Sequence, residues 1–134
     1  MKTRILMSIV LIMATCLIGF TSYGKDEQPE LIKMRTTAYC LPGKTCTGAD
    51  VRLGIAATGR KDLVGKTIII YQRLPGDEIG KGLGIYEVLD SGCNENVIDV
   101  WQPDLDWCQN YMNIAYQNGA QGRIFVEVIE DCNG

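Results

Sequence analysis

Apolar and polar residues alternate in several short runs, and that two-residue period predicts strands. Residues 31–39, LIKMRTTAY, put Ile32, Met34, Thr36 and Ala38 on one face and Lys33, Arg35, Thr37 and Tyr39 on the other. Residues 66–72, KTIIIYQ, carry three consecutive isoleucines, whose branched side chains suit a core strand and disfavour a helix. The runs 85–89 and 97–101 read as two more strands, 123–130 as a closing one, and the short apolar stretch 54–57 completes a set of six. Glycine, proline and threonine fill the intervening loops 40–50 and 58–62, and residues 74–84, with Pro75 and four glycines, read as a connection.

One segment has a helical period. Pro103 suits its first turn, Asp104 and Asp106 stand at its positive end, Leu105, Cys108, Met112 and Ala115 recur every three or four residues, and Gly119 can end it. On that helix Trp107 and Tyr111 are expected to pack it against the body. Six short strands, glycine-rich connections and one helix near the C-terminus predict a mainly β fold, a small six-stranded barrel rather than an α/β sheet. Closure removes the exposed edge that 66–72 would otherwise present.

The 134 residues allow one domain. Residues 1–24 read as a signal peptide: Lys2 and Arg4 precede an apolar run over 5–20, and Ser22 and Gly24 supply small residues at a cleavage site. That run is shorter than a spanning helix requires. Residues 25–33 then form a spacer, polar at its start, and 34–132 the domain. The protein is expected to be secreted or held in the cell envelope, with no stable membrane span after signal cleavage. Met13-Ala14-Thr15-Cys16 imitates a lipoprotein site only loosely, because Thr15 is bulky there and the apolar run continues past Cys16.

Once Lys2 and Arg4 are removed, 11 basic and 16 acidic residues leave a net charge of −5 with no basic cluster, which argues against nucleic acid as a partner. The chain has no histidine, excluding Ser-His and Cys-His nucleophile systems and histidine-ligated metals. No C-x-x-C pair supports zinc, so neither metal nor cofactor is expected. Carboxylates are the acid/base groups left.

Outside the leader there are five cysteines, and in a small exported domain disulfides are their default use. Cys40 with Cys46 closes the shortest loop and has the lowest loop-closure entropy; Cys93 with Cys108 is the second candidate pair. Cys132 is left over.

The chemistry concentrates in residues 86–101, YEVLDSGCNENVIDVW, where two apolar strands carry Asp90 and Asp99. The two carboxylates are expected to line one groove. A plainer reading is that Asp90 shapes the Ser-Gly turn and Asp99 is the outward member of an alternating strand.

Six pieces in order then resemble a known family: Thr37-Ala38-Tyr39-Cys40, Arg52-x-Gly54-Ile55-Ala56-Ala57, Gly65-Lys66-Thr67, Gly84-x-Tyr86-x-Val88-x-Asp90-Ser91-Gly92, Val97-Ile98-Asp99-Val100-Trp101 and Gly122-Arg123-x-Phe125-Val126-x-Val128. Together they resemble the 3D domain, named for three aspartates and related to the catalytic domain of lytic transglycosylase A. The resemblance covers about residues 34–130. It implies a double-psi β-barrel and a role on peptidoglycan glycan strands. Asp90 and Asp99 match the second and third family aspartates, and the third is the catalytic one in the relatives. The first is replaced by Thr58, and the proline that usually follows it by Gly59.

The expected function is therefore a secreted lytic transglycosylase that cleaves peptidoglycan through Asp99, with Asp90 raising its pKa and with Tyr39, Thr58 and Trp101 against the sugars. The alternative is a non-catalytic wall-binding module of the same fold, which the missing first aspartate favours.

Overall fold

The structure, a computed structural model, describes residues 29–92 and 94–131. The expected signal peptide and the cysteines at 16, 93 and 132 lie outside the described residues. Six strands, β1 (Leu31–Tyr39), β2 (Ile55–Thr58), β3 (Lys66–Leu74), β4 (Glu78–Ser91), β5 (Val97–Trp101) and β6 (Arg123–Asp131), close into a barrel in the order β1-β5-β2-β4-β3-β6. One α-helix, α1 (Leu105–Tyr116), lies between β5 and β6. The fold is mainly β, as the alternation predicts.

Strand pairing carries an internal symmetry. β1 runs parallel to β5 and β2 parallel to β4, while the other four neighbouring pairs are antiparallel. Exchanging β1 with β4, β2 with β5 and β3 with β6 returns the same ring with the same pairing senses. This pseudo-twofold order, with one parallel crossing in each half, is the arrangement expected of a double-psi barrel.

Alternation fills the interior. Met34, Ala56, Ile68, Ile70, Val88, Ile98, Val100, Ile124 and Val126 form its core, with Leu63, Tyr86 and Tyr111 packed into the same cluster. Of the three consecutive isoleucines, Ile68 and Ile70 point in and Ile69 is only half-buried. Burying a side chain of this size removes enough apolar area to contribute about 1.5–3 kcal/mol, before conformational entropy is charged against it.

Two boundaries differ from expectation. β1 begins at Leu31, so residues 31–33 belong to the barrel rather than to the spacer. Residues 74–84 are not simply a connection: Pro75–Asp77 make a turn, and β4 then runs from Glu78 through 14 residues. Two of its glycines serve packing. A side chain at Gly80 would meet the buried Gln72 at 2.8 Å, and one at Gly84 would meet the Tyr86 ring at 2.9 Å, so only glycine lets this strand lie against them.

Gln72 explains how a fully buried amide is tolerated. Its Nε2 donates to the Ile114 carbonyl at 2.7 Å, and its Oε1 accepts from Lys81 N–H and Asn118 Nδ2. The amide thereby ties the end of α1 to the barrel. At the other end Asp104 caps the helix, accepting from Trp107 N–H at 3.0 Å. Tyr111 and Ala115 are buried, whereas Leu105 is 75% exposed and Trp107 50% exposed, so of the two aromatic residues Tyr111 does the packing. Its hydroxyl pairs with Thr36 Oγ1 at 2.6 Å, and Thr36 also donates to the Ile98 carbonyl. No helix among the described residues is long and apolar enough to cross a membrane.

Candidate active site

Asp90 and Asp99 are not on neighbouring strands, because β2 lies between them. Thr37 of β1 pairs with Asp99 of β5, Asp99 with Ala57 of β2, and Ala57 with Asp90 of β4. A β-bulge between Ala56 and Ala57 sets the last pairing; a regular ladder would put Leu89 opposite Ala57. Bulges re-aim side chains in this way. The two aspartate backbones straddle β2 at roughly 9–10 Å, twice the usual strand spacing.

Ile98 and Val100 point into the core, so Asp99 between them faces the outer wall, with Thr37 and Ala57 beside it. Even so, Ala57 is only 5% exposed, which means that the wall is covered here. The 40–54 loop folds back over β4: Cys46 N–H donates to Asp90 Oδ1 at 2.9 Å and Thr47 Oγ1 to the Leu89 carbonyl at 2.9 Å.

The two carboxylates have different surroundings. Asp90 Oδ1 accepts from Cys46 N–H and from Ser91 N–H, so it shapes the turn and fastens the loop. Asp99 lines a cleft of about 210 Å³ with Thr37, Ala57, Thr58, Gly92 and Asn94. Asp90 is not among the described residues lining that cleft, though both carboxylates act on the Tyr39 hydroxyl. Burial raises the Asp99 pKa above its ordinary value, and the Thr37 hydroxyl, donating to Oδ1 at 2.9 Å, opposes the rise. The expected push from an ionised Asp90 is not among the causes.

Tyr39 stands two residues beyond Thr37 on the same face of β1. Its hydroxyl is buried without a hydrogen-bond partner among the described residues, and burial, then Asp90, then Asp99 push its pKa up to about 12. Tyr39 therefore keeps its phenol proton close to both acids. Trp101, its register partner, donates its indole N–H to the Leu41 carbonyl at 2.9 Å and holds the start of the loop.

Thr58 ends β2 at the cleft and is 1% exposed. Its hydroxyl accepts from Arg60 N–H at 3.1 Å, so it supports the following turn. Gly59 has a steric reason: its N–H donates to the Asn94 carbonyl at 3.0 Å, and a Cβ would meet Asn94 backbone atoms at 2.7–2.9 Å. A proline could neither donate that bond nor fit. Beyond this contact a second concavity of about 510 Å³ is lined by Gly59, Arg60, Lys61, Asp62, Glu95 and Asn96.

Thr37 and Asn94 are site residues that the sequence reading missed. Thr37 lies on the Tyr39 face of β1 in the alternation, but nothing local tells that β1 pairs in parallel with β5. The expected Cys40–Cys46 bridge is absent, since both thiols are free and the Cys46 sulfur points at the Leu89 carbonyl, 3.8 Å away. The other expected pair involves Cys93, outside the described residues; Cys108 is a free thiol. Neither protein-family models nor curated proteins give a match to this chain.

Proposed function

We propose that the protein is an exported, peptidoglycan-cleaving enzyme of lytic transglycosylase type, of the 3D-domain kind, with Asp99 as its acid and base. The observation that carries this reading is a half-buried carboxyl of raised pKa at the wall of a cleft, hydrogen-bonded by one hydroxyl. A general acid has to hold its proton near working pH, and desolvation favours that form.

The chemistry needs a single carboxyl group. Protonated Asp99 gives its proton to the glycosidic oxygen as the bond to the anomeric carbon breaks. The sugar's own C6 hydroxyl then attacks that carbon, and the Asp99 carboxylate takes the hydroxyl proton, closing a 1,6-anhydro ring and restoring the acid. Water takes no part, so no second carboxylate is required to activate it. This fits an Asp90 engaged in fastening a loop, whereas a two-carboxylate hydrolase needs both groups free to face one bond. Thr37 orients Asp99.

A second reading, a wall-binding module without catalysis, is favoured by Thr58, which stands where the family has its first aspartate and whose hydroxyl supports a turn. The two separate on purified peptidoglycan. Release of 1,6-anhydromuropeptides, identified by mass spectrometry, supports the enzyme; co-sedimentation with the wall without soluble product supports the module.

A further inference from the structure

The end of β1 meets the first turn of α1, and two cysteines come together there. Tyr39 pairs with Trp101, and Gln102 N–H donates to the Tyr39 carbonyl at 2.8 Å, extending the ladder one step so that Cys40 lies beside the chain entering the helix. Asp104 caps that helix, and Cys108 N–H closes its first turn on the Asp104 carbonyl at 3.1 Å. Cys40 and residues 103–106 line one concavity of about 500 Å³. The Cys40 thiol is also near enough to the Cys108 thiol to act on its titration. Both residues are half-exposed, within reach of an oxidant, whereas Cys46 is drawn away toward β4.

We infer that Cys40 and Cys108 form a disulfide when the protein matures in an oxidising compartment, and that this bond fastens the 40–54 loop and α1 to each other beside Asp99. The oxidant is a disulfide donor, such as a thiol oxidoreductase or oxidised glutathione. One cysteine thiolate attacks the donor's disulfide and expels a donor thiolate; the second attacks the mixed disulfide and expels the other. One S–S bond forms in the protein, the donor's is reduced, and the two thiol protons pass to the donor sulfurs. Burial together with the neighbouring Cys40, Asp99 and Asp104 raises the Cys108 pKa, the setting of a structural thiol rather than a catalytic nucleophile. This pairing replaces both pairings read from sequence spacing, and it stands whether or not the glycan is cut.

The test is a peptide map of the full chain exported through an oxidising compartment, purified without reductant and treated with N-ethylmaleimide. Trypsin with Asp-N separates Cys40 (residues 36–44) from Cys108 (residues 106–123) and both from the remaining cysteines. The expected result is peptide 36–44 linked to peptide 106–123, lost on reduction. Maleimide on both cysteines without prior reduction, or a link from either to another cysteine, overturns the proposal. A thermal melt of Cys108→Ser against the oxidised wild type supplies a second reading: a long loop is released, so Tm is expected to fall by about 10–20 °C, and an unchanged Tm contradicts the bond.

Discussion

The Thr37 hydroxyl donates to Asp99 Oδ1 at 2.9 Å across the parallel β1–β5 pair. That bond favours the ionised carboxylate while burial favours the neutral acid, and burial is the larger effect. Thr37→Val removes that opposing bond and is expected to move the alkaline limb of the pH–rate profile to higher pH, because Asp99 then keeps its proton longer. Thr37→Ser should leave the limb in place. A limb that does not move in Thr37→Val separates Asp99 from the titration that controls the rate.

Asp99 should also weaken the fold at neutral pH. A carboxyl whose folded pKa lies above its unfolded value of about 3.8 binds its proton more tightly when folded, so its contribution is full below that value and is lost as pH rises through the folded pKa. Asp99→Asn is therefore expected to gain stability at pH 7, by no more than about 1 kcal/mol because water screens a half-exposed group. Denaturant melts should show the gain shrinking to nothing toward pH 3. A gain that persists unchanged in acid has another origin.

Gly59→Ala tests the close approach of Gly59 and Asn94 beside the cleft. The added methyl meets Asn94 backbone atoms at 2.7–2.9 Å, which cannot yield as a flexible side chain would. A loss of about 1–3 kcal/mol is expected. Full stability in this variant contradicts the close approach of the two segments.

Tyr39→Phe removes a buried hydroxyl that has no hydrogen-bond partner among the described residues. An unsatisfied polar group is unfavourable by about 1–3 kcal/mol, so this variant is expected to melt at or above the wild-type temperature. A variant clearly less stable than wild type contradicts the placement of that hydroxyl.

How far these residues could be read from the sequence depended on the range of the interaction. Alternation in 31–39 and 123–130 and the capped helix depend on neighbours in sequence, and the structure has them. The 78–84 part of β4 was hidden because its glycines signal a loop locally, while the reason for Gly80 and Gly84, space for Gln72 and Tyr86, lies in the fold. The spacing of Asp90 and Asp99 does not tell that β2 passes between their strands, nor that a bulge brings Asp90 to the 40–54 loop. Cys40 and Cys46, close in sequence, diverge because the loop between them turns toward β4.

The central claim is that one carboxyl group, Asp99, does the proton transfers. Its most direct test is the rate of 1,6-anhydromuropeptide release from purified peptidoglycan by wild type and by Asp99→Asn, with both shown to be folded by their melts. Loss of general acid–base catalysis is expected to lower the rate by at least about 100-fold, leaving the substituted protein stable and silent. Release at a rate within a few-fold of wild type would mean that the bond is broken by some other group.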